Sequence, residues 1–466
     1  MTTTKQQFVV PELGEPGHSD PKGALPAWRF VALYAVLLLC IPSRLIVGPI
    51  GAPGTPASLL AIGGLFWWVC ALLGGLIDRR GLSPMRIAVG GFVVAVLISY
   101  ASGHLLGWYQ PADIHQHSDR LWEPATVADA TAIVSSAADR GLLAFTGWIG
   151  IALVTAEGMR SWRDLDRVVS WIVGAATVVG AMGVVQYFTR LNLAVWLQIP
   201  GLTSLSDFGN ALSRSELNRV VATSAHPIEL GVLMASILPL ALHRSLHAKR
   251  WTAWIPTCLI GLTALMSVSR SAIVVSGVAL VVLFLGWPNR WRIYALILAP
   301  IAGVIGPIAL PGLLGTIRSL FTNLESDPSI SGRTADYDLV FRLFSERPVF
   351  GQGLFTFVPM VYRTIDNQAL VLLLELGIFG TMAFSALVLV SLFQAFFLRL
   401  RTAHPQTQHL GLAIAASLLG IITSYVTFDA MSFRQVAGLT FLLIGLTGSV
   451  WHLSREVAPD QQPPDS

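Results

Sequence analysis

The chain has 466 residues, of which 54% are hydrophobic and 12% charged, with a mean hydropathy of +0.66. Soluble globular chains carry about 25% charged residues and disordered ones are poorer in apolar side chains, so both classes are excluded. The net charge of +4 is spread over short loops between apolar runs, which excludes the basic stripe of a nucleic-acid-binding protein.

Residues 1–28 are polar and punctuated by Pro11, Pro16, Pro21 and Pro26, which predicts a disordered tail and not a signal peptide. Apolar runs follow near 30–47, 57–77, 85–103, 141–157, 168–189, 227–243, 251–267, 271–287, 293–315, 376–398, 410–427 and 434–452. A hydrocarbon core is crossed by roughly 20 helical residues, so the runs predict about twelve transmembrane helices. The expected fold is an all-α polytopic membrane helix bundle over 29–454, with a second polar tail at 455–466.

Arginine and lysine set the expected orientation. With the N-terminus inside, every second loop is short and basic. These loops hold Arg79, Arg80 and Arg86; Arg160, Arg163 and Arg167; Arg244, Lys249 and Arg250; Arg290 and Arg292; Arg399 and Arg401. Both termini are therefore expected in the cytoplasm. The outward loops near 104–140, 190–226 and 316–366 are long and mix both charge signs. The largest lies between helices nine and ten. Within it, Tyr337, Val340, Phe341 and Phe344 recur at helical spacing, predicting an amphipathic surface helix over Thr334–Ser345 that Pro348 closes. A second helix is expected to open at Asp366 and continue into the tenth span.

Cys40, Cys70 and Cys258 all fall in apolar runs without paired spacing, so neither a zinc framework nor a disulfide framework is expected. His115 and His117, beside Asp113 and Asp119, read as a solvated loop before they read as a metal site.

Ionisable side chains at or near membrane depth are costly and mark pathways or sites. On the expected outer side these are Arg44, Arg214, Arg219, His226, Glu229, Arg270, Arg333, Asp366, Glu375, Asp429 and Arg434. Outer arginines have no topological role, so their concentration asks for an anion such as phosphate, carboxylate or glycan. Arg270 sits in the tight turn Ser269-Arg270-Ser271-Ala272, where the bland alternative is snorkelling to headgroups. Arg219 and His226 lie where the chain enters the sixth span. His226 precedes Pro227 and so belongs at the mouth of the helix, where its backbone neighbours could satisfy it without any catalytic role. Asp338, Arg342 and Glu346 form an i, i+4 ladder that reads as a salt-bridged face, and Arg333 falls outside it. Asp366 is either a helix cap or a carboxylate able to take a proton from a sugar hydroxyl. Glu375, among leucines, requires a partner.

Taken in order, several of these segments resemble the O-antigen ligase and polysaccharide polymerase family. They are Arg219 through Pro227, Ser269 through Ala272, Gly332-Arg333, Glu346-Arg347-Pro348-Val349-Phe350-Gly351-Gln352-Gly353, Asp366-Asn367 and Leu374-Glu375-Leu376-Gly377. The resemblance implies a C-type glycosyltransferase architecture. It also implies transfer of a glycan from undecaprenyl diphosphate to a glycan or glycolipid acceptor hydroxyl. That reaction would run on the outer face of the bacterial cytoplasmic membrane, with no metal or other cofactor. Carried over, Arg219 and Arg270 bind the diphosphate, Arg333 and Glu375 contact diphosphate or glycan, and Asp366 and His226 are catalytic. Family ligases have a histidine where this chain has Asp366, which shifts weight from ligation to lipid A core toward polymerisation or another acceptor. The main alternative is a transporter or flippase for lipid-linked glycans, which would want cations deep within its spans rather than at the outer rim. An inactive structural partner is a third reading, under which neutralising the outer arginines changes nothing.

Overall fold

A computed structural model describes residues 25–77, 83–107, 127–205, 219–309, 328–402 apart from Met360 and Arg363, and 404–456. The N-terminal tail through residue 24, the C-terminal tail from 457, Arg79, Arg80, the His115–His117 motif with Asp113 and Asp119, Arg214 and the side chain of Arg333 lie outside the described residues.

Thirteen α-helices are described: α1 Ala27–Cys40, α2 Pro56–Leu73, α3 Pro84–Leu106, α4 Val127–Gly158, α5 Trp162–Thr189, α6 Pro227–His247, α7 Trp254–Met266, α8 Arg270–Gly286, α9 Asn289–Ala309, α10 Pro328–Glu346, α11 Gln368–Arg401, α12 Pro405–Thr423 and α13 Arg434–Glu456. Each expected apolar run contains a helix, although the first is helical only to Cys40 and residues 310–315 of the ninth lie outside the described residues. Eight of the helices are long and apolar enough to cross a membrane, and three more apolar segments are shorter. The chain is a polytopic helical membrane protein. Its one described ladder pairs Leu45 with Ser204 and Ile46 with Thr203, antiparallel.

The largest boundary difference is at α4, which begins at Val127 rather than 141. Its first half is amphipathic rather than uniformly apolar. Ala130, Val134 and Ala138 recur every fourth residue, are buried, and pack with Val361. Averaged hydropathy hides such a stripe of small residues. In the centre of the bundle α4 packs on α2 and α13, α6 on α7, α8 and α12, and α11 on α3. At one end Arg86, expected as a loop cation, instead pairs with Glu157, which also accepts from Trp68 Nε1 at 2.9 Å.

Helix α11 is discontinuous. Gly377 has φ 63° and ψ −167° inside it, and the break frees main-chain groups that lipid cannot satisfy. The Glu346–Gly353 segment supplies their partners. Gln352 N donates to Leu374 O at 3.1 Å and Gly353 N to Glu375 O at 2.8 Å. In return Ile378 N donates to Pro348 O at 2.9 Å and Phe379 N to Val349 O at 3.1 Å. Ser99 Oγ on α3 adds a bond to Glu375 O at 2.8 Å. Two segments singled out in the sequence thus meet backbone to backbone, at a distance that only glycines permit.

Candidate functional site

The loop leading into α6 is bent by Gln186 on α5. Its Oε1 accepts from Val221 N at 3.1 Å and Ala222 N at 2.8 Å, and Ala222 takes φ 45°. The bend carries Arg219 to the turn between α7 and α8, where Arg219 Nε donates to Ser267 O at 3.3 Å. That turn contains Val268 at φ 48°. Ser269 then caps α8, with Oγ accepting from Ala272 N at 3.4 Å, and Arg270 is the first residue of the helix. Arg219 and Arg270, some 50 positions apart in sequence, are thereby brought to one turn, both half-buried.

His226 caps α6. Its Nδ1 accepts from Ile228 N at 3.2 Å, so the neutral ring carries its proton on Nε2. Three residues on, Glu229 is fully buried. One carboxylate oxygen accepts from Ala225 N at 2.7 Å and Ser43 Oγ at 3.2 Å, the other from Gln435 N at 3.0 Å. Arg44 and Arg434, which the sequence placed among the outer candidates, hold backbone. Arg44 Nη2 donates to Ala194 O at 3.1 Å, and Arg434 donates to Ala52 O at 3.0 Å and Ser43 O at 2.9 Å. Glu229 therefore joins three chain segments as an acceptor only. Glu229→Gln turns one acceptor into an amide that faces a backbone N–H. It is expected to cost about 2 kcal/mol or more, read as a lower thermal midpoint of the purified protein, whereas an unchanged midpoint would remove the joining role.

The carboxylate half lies at the start of α11. Asn367, not Asp366, caps that helix, its Oδ1 accepting from Ala369 N at 3.0 Å and Leu370 N at 3.3 Å. The helix accordingly opens two residues later than expected, and Asp366 is exposed. Gln368 fixes the segment against the loop between α12 and α13. Its N donates to Phe428 O at 3.2 Å, and its Oε1 accepts from Met431 N at 2.7 Å. This brings Asp429 within electrostatic reach of Asp366. Burial first, and then the Asp366 charge, push the Asp429 carboxyl up to about 6 against the opposing hydrogen bond from Ser432. Glu375 is buried, and its Oε1 accepts from Phe357 N at 3.1 Å. Its carboxylate thus faces the 353–357 loop, in which Phe355 has φ 62°.

Residues 428–435 join the two halves. Ser224 Oγ donates to Gln435 Oε1 at 2.6 Å, and the Phe433 ring lies 5.2 Å from Phe428 and 6.1 Å from His226. Among the described residues, three of the four non-glycine residues with positive φ, namely Ala222, Val268 and Phe355, fall in the three loops that build this rim. Such backbone conformations are costly and concentrate at functional sites. Asp429 was among the outer ionisable candidates but outside the family motifs, and the glutamines at 186, 368 and 435 were not singled out. A signal was present, because an amide buried in an apolar helix needs a partner as much as a charge does.

One protein family, described as O-antigen ligase, matches the chain over residues 255–385. The match runs from α7 through the turn at Arg270, the α10 helix and the Gly351–Gly377 crossing into α11. A comparison with curated proteins finds no match to this chain.

Proposed function

We propose that the protein is a metal-independent glycosyltransferase. It would move a glycan from undecaprenyl diphosphate to an acceptor hydroxyl on the outer face of the bacterial cytoplasmic membrane, with both termini inside. The observation that carries this reading is the convergence of Arg219 and Arg270 on one turn, in a rim that also holds the Asp366–Asp429 pair. The membrane domain is read as one unit over 29–454.

In the reaction the acceptor oxygen attacks the anomeric carbon as the bond from that carbon to the diphosphate oxygen breaks. The departing diphosphate gathers negative charge, which the two guanidiniums stabilise. The acceptor proton passes to Asp366, the exposed carboxylate. Asp429 assists from behind, because protonating one acid relieves repulsion between the two. His226, with Nδ1 used as a cap, offers Nε2–H to a phosphate oxygen. Glu375 is a positioning residue that shapes the 355–357 loop. Arg333, near the start of α10, would contact the glycan or diphosphate.

The test is purified protein in vesicles supplied with a polyprenyl-diphosphate-linked glycan. Release of the lipid diphosphate with growth of an acceptor glycan is expected, and Asp366→Asn should lower it by about 100-fold. In a deletion strain, single lipid-linked repeats indicate a polymerase and long polymer stranded on the carrier indicates a ligase. Glycan trapped on the cytoplasmic side would overturn the transferase in favour of a flippase.

A pH profile adds a second check. The pair acts when Asp429 is ionised, so activity rises with pH through about 6. Asp429→Asn removes the Asp429 titration, so its residual activity should lack that acid limb. A limb that persists near the same pH rules Asp429 out as its source.

A further inference from the structure

The opposite end of the bundle holds a second cluster that the transfer reaction does not use. His243 and His247 lie one turn apart near the C-terminus of α6, and His409 near the N-terminus of α12 faces them. One ring nitrogen from each lies within 4.8 Å of the other two. We propose that these three histidines bind one divalent transition-metal ion of the zinc class.

The donor set selects the ion. Imidazole nitrogens suit Zn²⁺ and its borderline neighbours, whereas Mg²⁺ and Ca²⁺ require oxygen ligands. Two histidines at i, i+4 present their rings on one helix face, and a third from another helix completes a three-histidine set that leaves one coordination position for solvent. Zinc–nitrogen bonds of about 2.0–2.1 Å put tetrahedral ligand atoms roughly 3.3 Å apart. His243 Nδ1 and His409 Nδ1 are 2.8 Å apart, so the rings need only a small opening to admit an ion.

The surroundings fit as well. His243 is 2% and His409 5% exposed. His247 Nδ1 donates to the His243 carbonyl at 2.8 Å, which leaves Nε2 with a lone pair and fixes the ring, as outer partners of metal-bound histidines do. Trp291 covers the rings edge-on, 4.9 Å from His409 and 5.5 Å from His247. The nearby cations are engaged elsewhere: Arg244 pairs with Asp166 at 3.0 Å, and Arg292 donates to Phe284 O at 2.9 Å.

One bond opposes the ion and makes the proposal sharp. Trp287 Nε1–H, which can only donate, gives its hydrogen bond to His409 Nε2 at 2.8 Å. Neutral His409 then carries its proton on Nδ1 and passes it toward His243 Nδ1. Ligation through His409 Nδ1 moves that proton to Nε2 and turns the indole N–H away, with no net proton released. Trp287 therefore competes with the metal.

The test uses the full chain, purified in detergent, stripped with chelator and titrated with ZnCl₂ against a chromophoric chelator. The expected result is a single tight site per chain and a raised thermal midpoint. Both effects should weaken by at least about tenfold in affinity in His247→Gln and in His409→Gln. Both should survive His115→Ala with His117→Ala, which removes the other histidine pair. Trp287→Phe keeps the ring but not the donor, and should bind about fivefold more tightly. If His409→Gln fails to fold, half-buried His247→Gln decides. No tight site in the wild type, or full binding retained in His247→Gln, overturns the proposal. Neither outcome bears on the transferase, whose residues lie at the other end of α6, about 25 Å away along the helix.

Discussion

Arg219→Ala and Arg270→Ala are each expected to lower glycan transfer by about 100-fold or more while the protein still inserts and accumulates. Removing one preorganised donor from a site of developing charge typically has an effect of that size. The guanidinium that remains in each variant still meets the diphosphate but cannot supply the lost donors. Stability should change little, because both side chains are half-buried and α8 keeps its Ser269 cap. Arg270→Lys should recover only part of the rate, since an ammonium lacks the planar fork that engages two oxygens. Arg219 Nε is held by Ser267 O, three residues before Arg270. The two side chains therefore act on one ligand, and the double variant should lose less than the product of the single losses. The measurement is initial rate in vesicles, paired with quantified protein in the membrane. Wild-type glycan from both alanine variants would end the diphosphate assignment.

Gly377→Ala and Gly351→Ala should each fail at the level of the fold. Gly351 has φ 70° and Gly377 φ 63°, so alanine carries a backbone cost of about 1 kcal/mol before any contact is considered. A Cβ on Gly377 would then press on the main chain of Val349 and Phe350, and one on Gly351 on the main chain of Glu375 and Gly377. Those neighbours cannot rotate away, because they form the hydrogen bonds that close the break in α11. A loss of about 3 kcal/mol or more is expected for each. It should appear as low yield and a depressed thermal midpoint, together with loss of activity. Gly90→Ala is the control. Its Cβ meets nothing within 4 Å, and alanine is the better helix former. Equal behaviour of Gly90→Ala and Gly377→Ala would contradict the crossing.

Much of the fold was legible because burial in lipid makes helices declare themselves by apolar length alone. The surface helix was legible too, since Tyr337, Val340, Phe341 and Phe344 keep helical spacing, and α10 covers them. The start of α4 was not, because its buried stripe is made of alanines and a valine whose neighbours are polar. The cap of α11 was missed by one residue. Asp and Asn are both competent caps, and only the geometry chooses Asn367. At the site, the turn at Arg270 could be read locally. The joining of Asp366 to Asp429, of Glu229 to Gln435 and of His243 to His409 could not, since each pair is set by packing between distant helices. Glu375 was correctly marked as needing a partner, and that partner is the backbone of the loop that precedes it.

The carboxylate of Glu229 has a consequence for the making of the protein. Its third donor, Gln435 N, is synthesised 206 residues after it, and the same glutamine reaches back 397 residues to Leu38 O. A nascent chain that has threaded α1 to α12 into the bilayer can give Glu229 its Ser43 and Ala225 donors but not its third. Helix α13 supplies that N–H. Chains cut short before Gln435 thus leave one oxygen of Glu229 without its backbone donor. Closure of this joint is therefore deferred until α13 has been made.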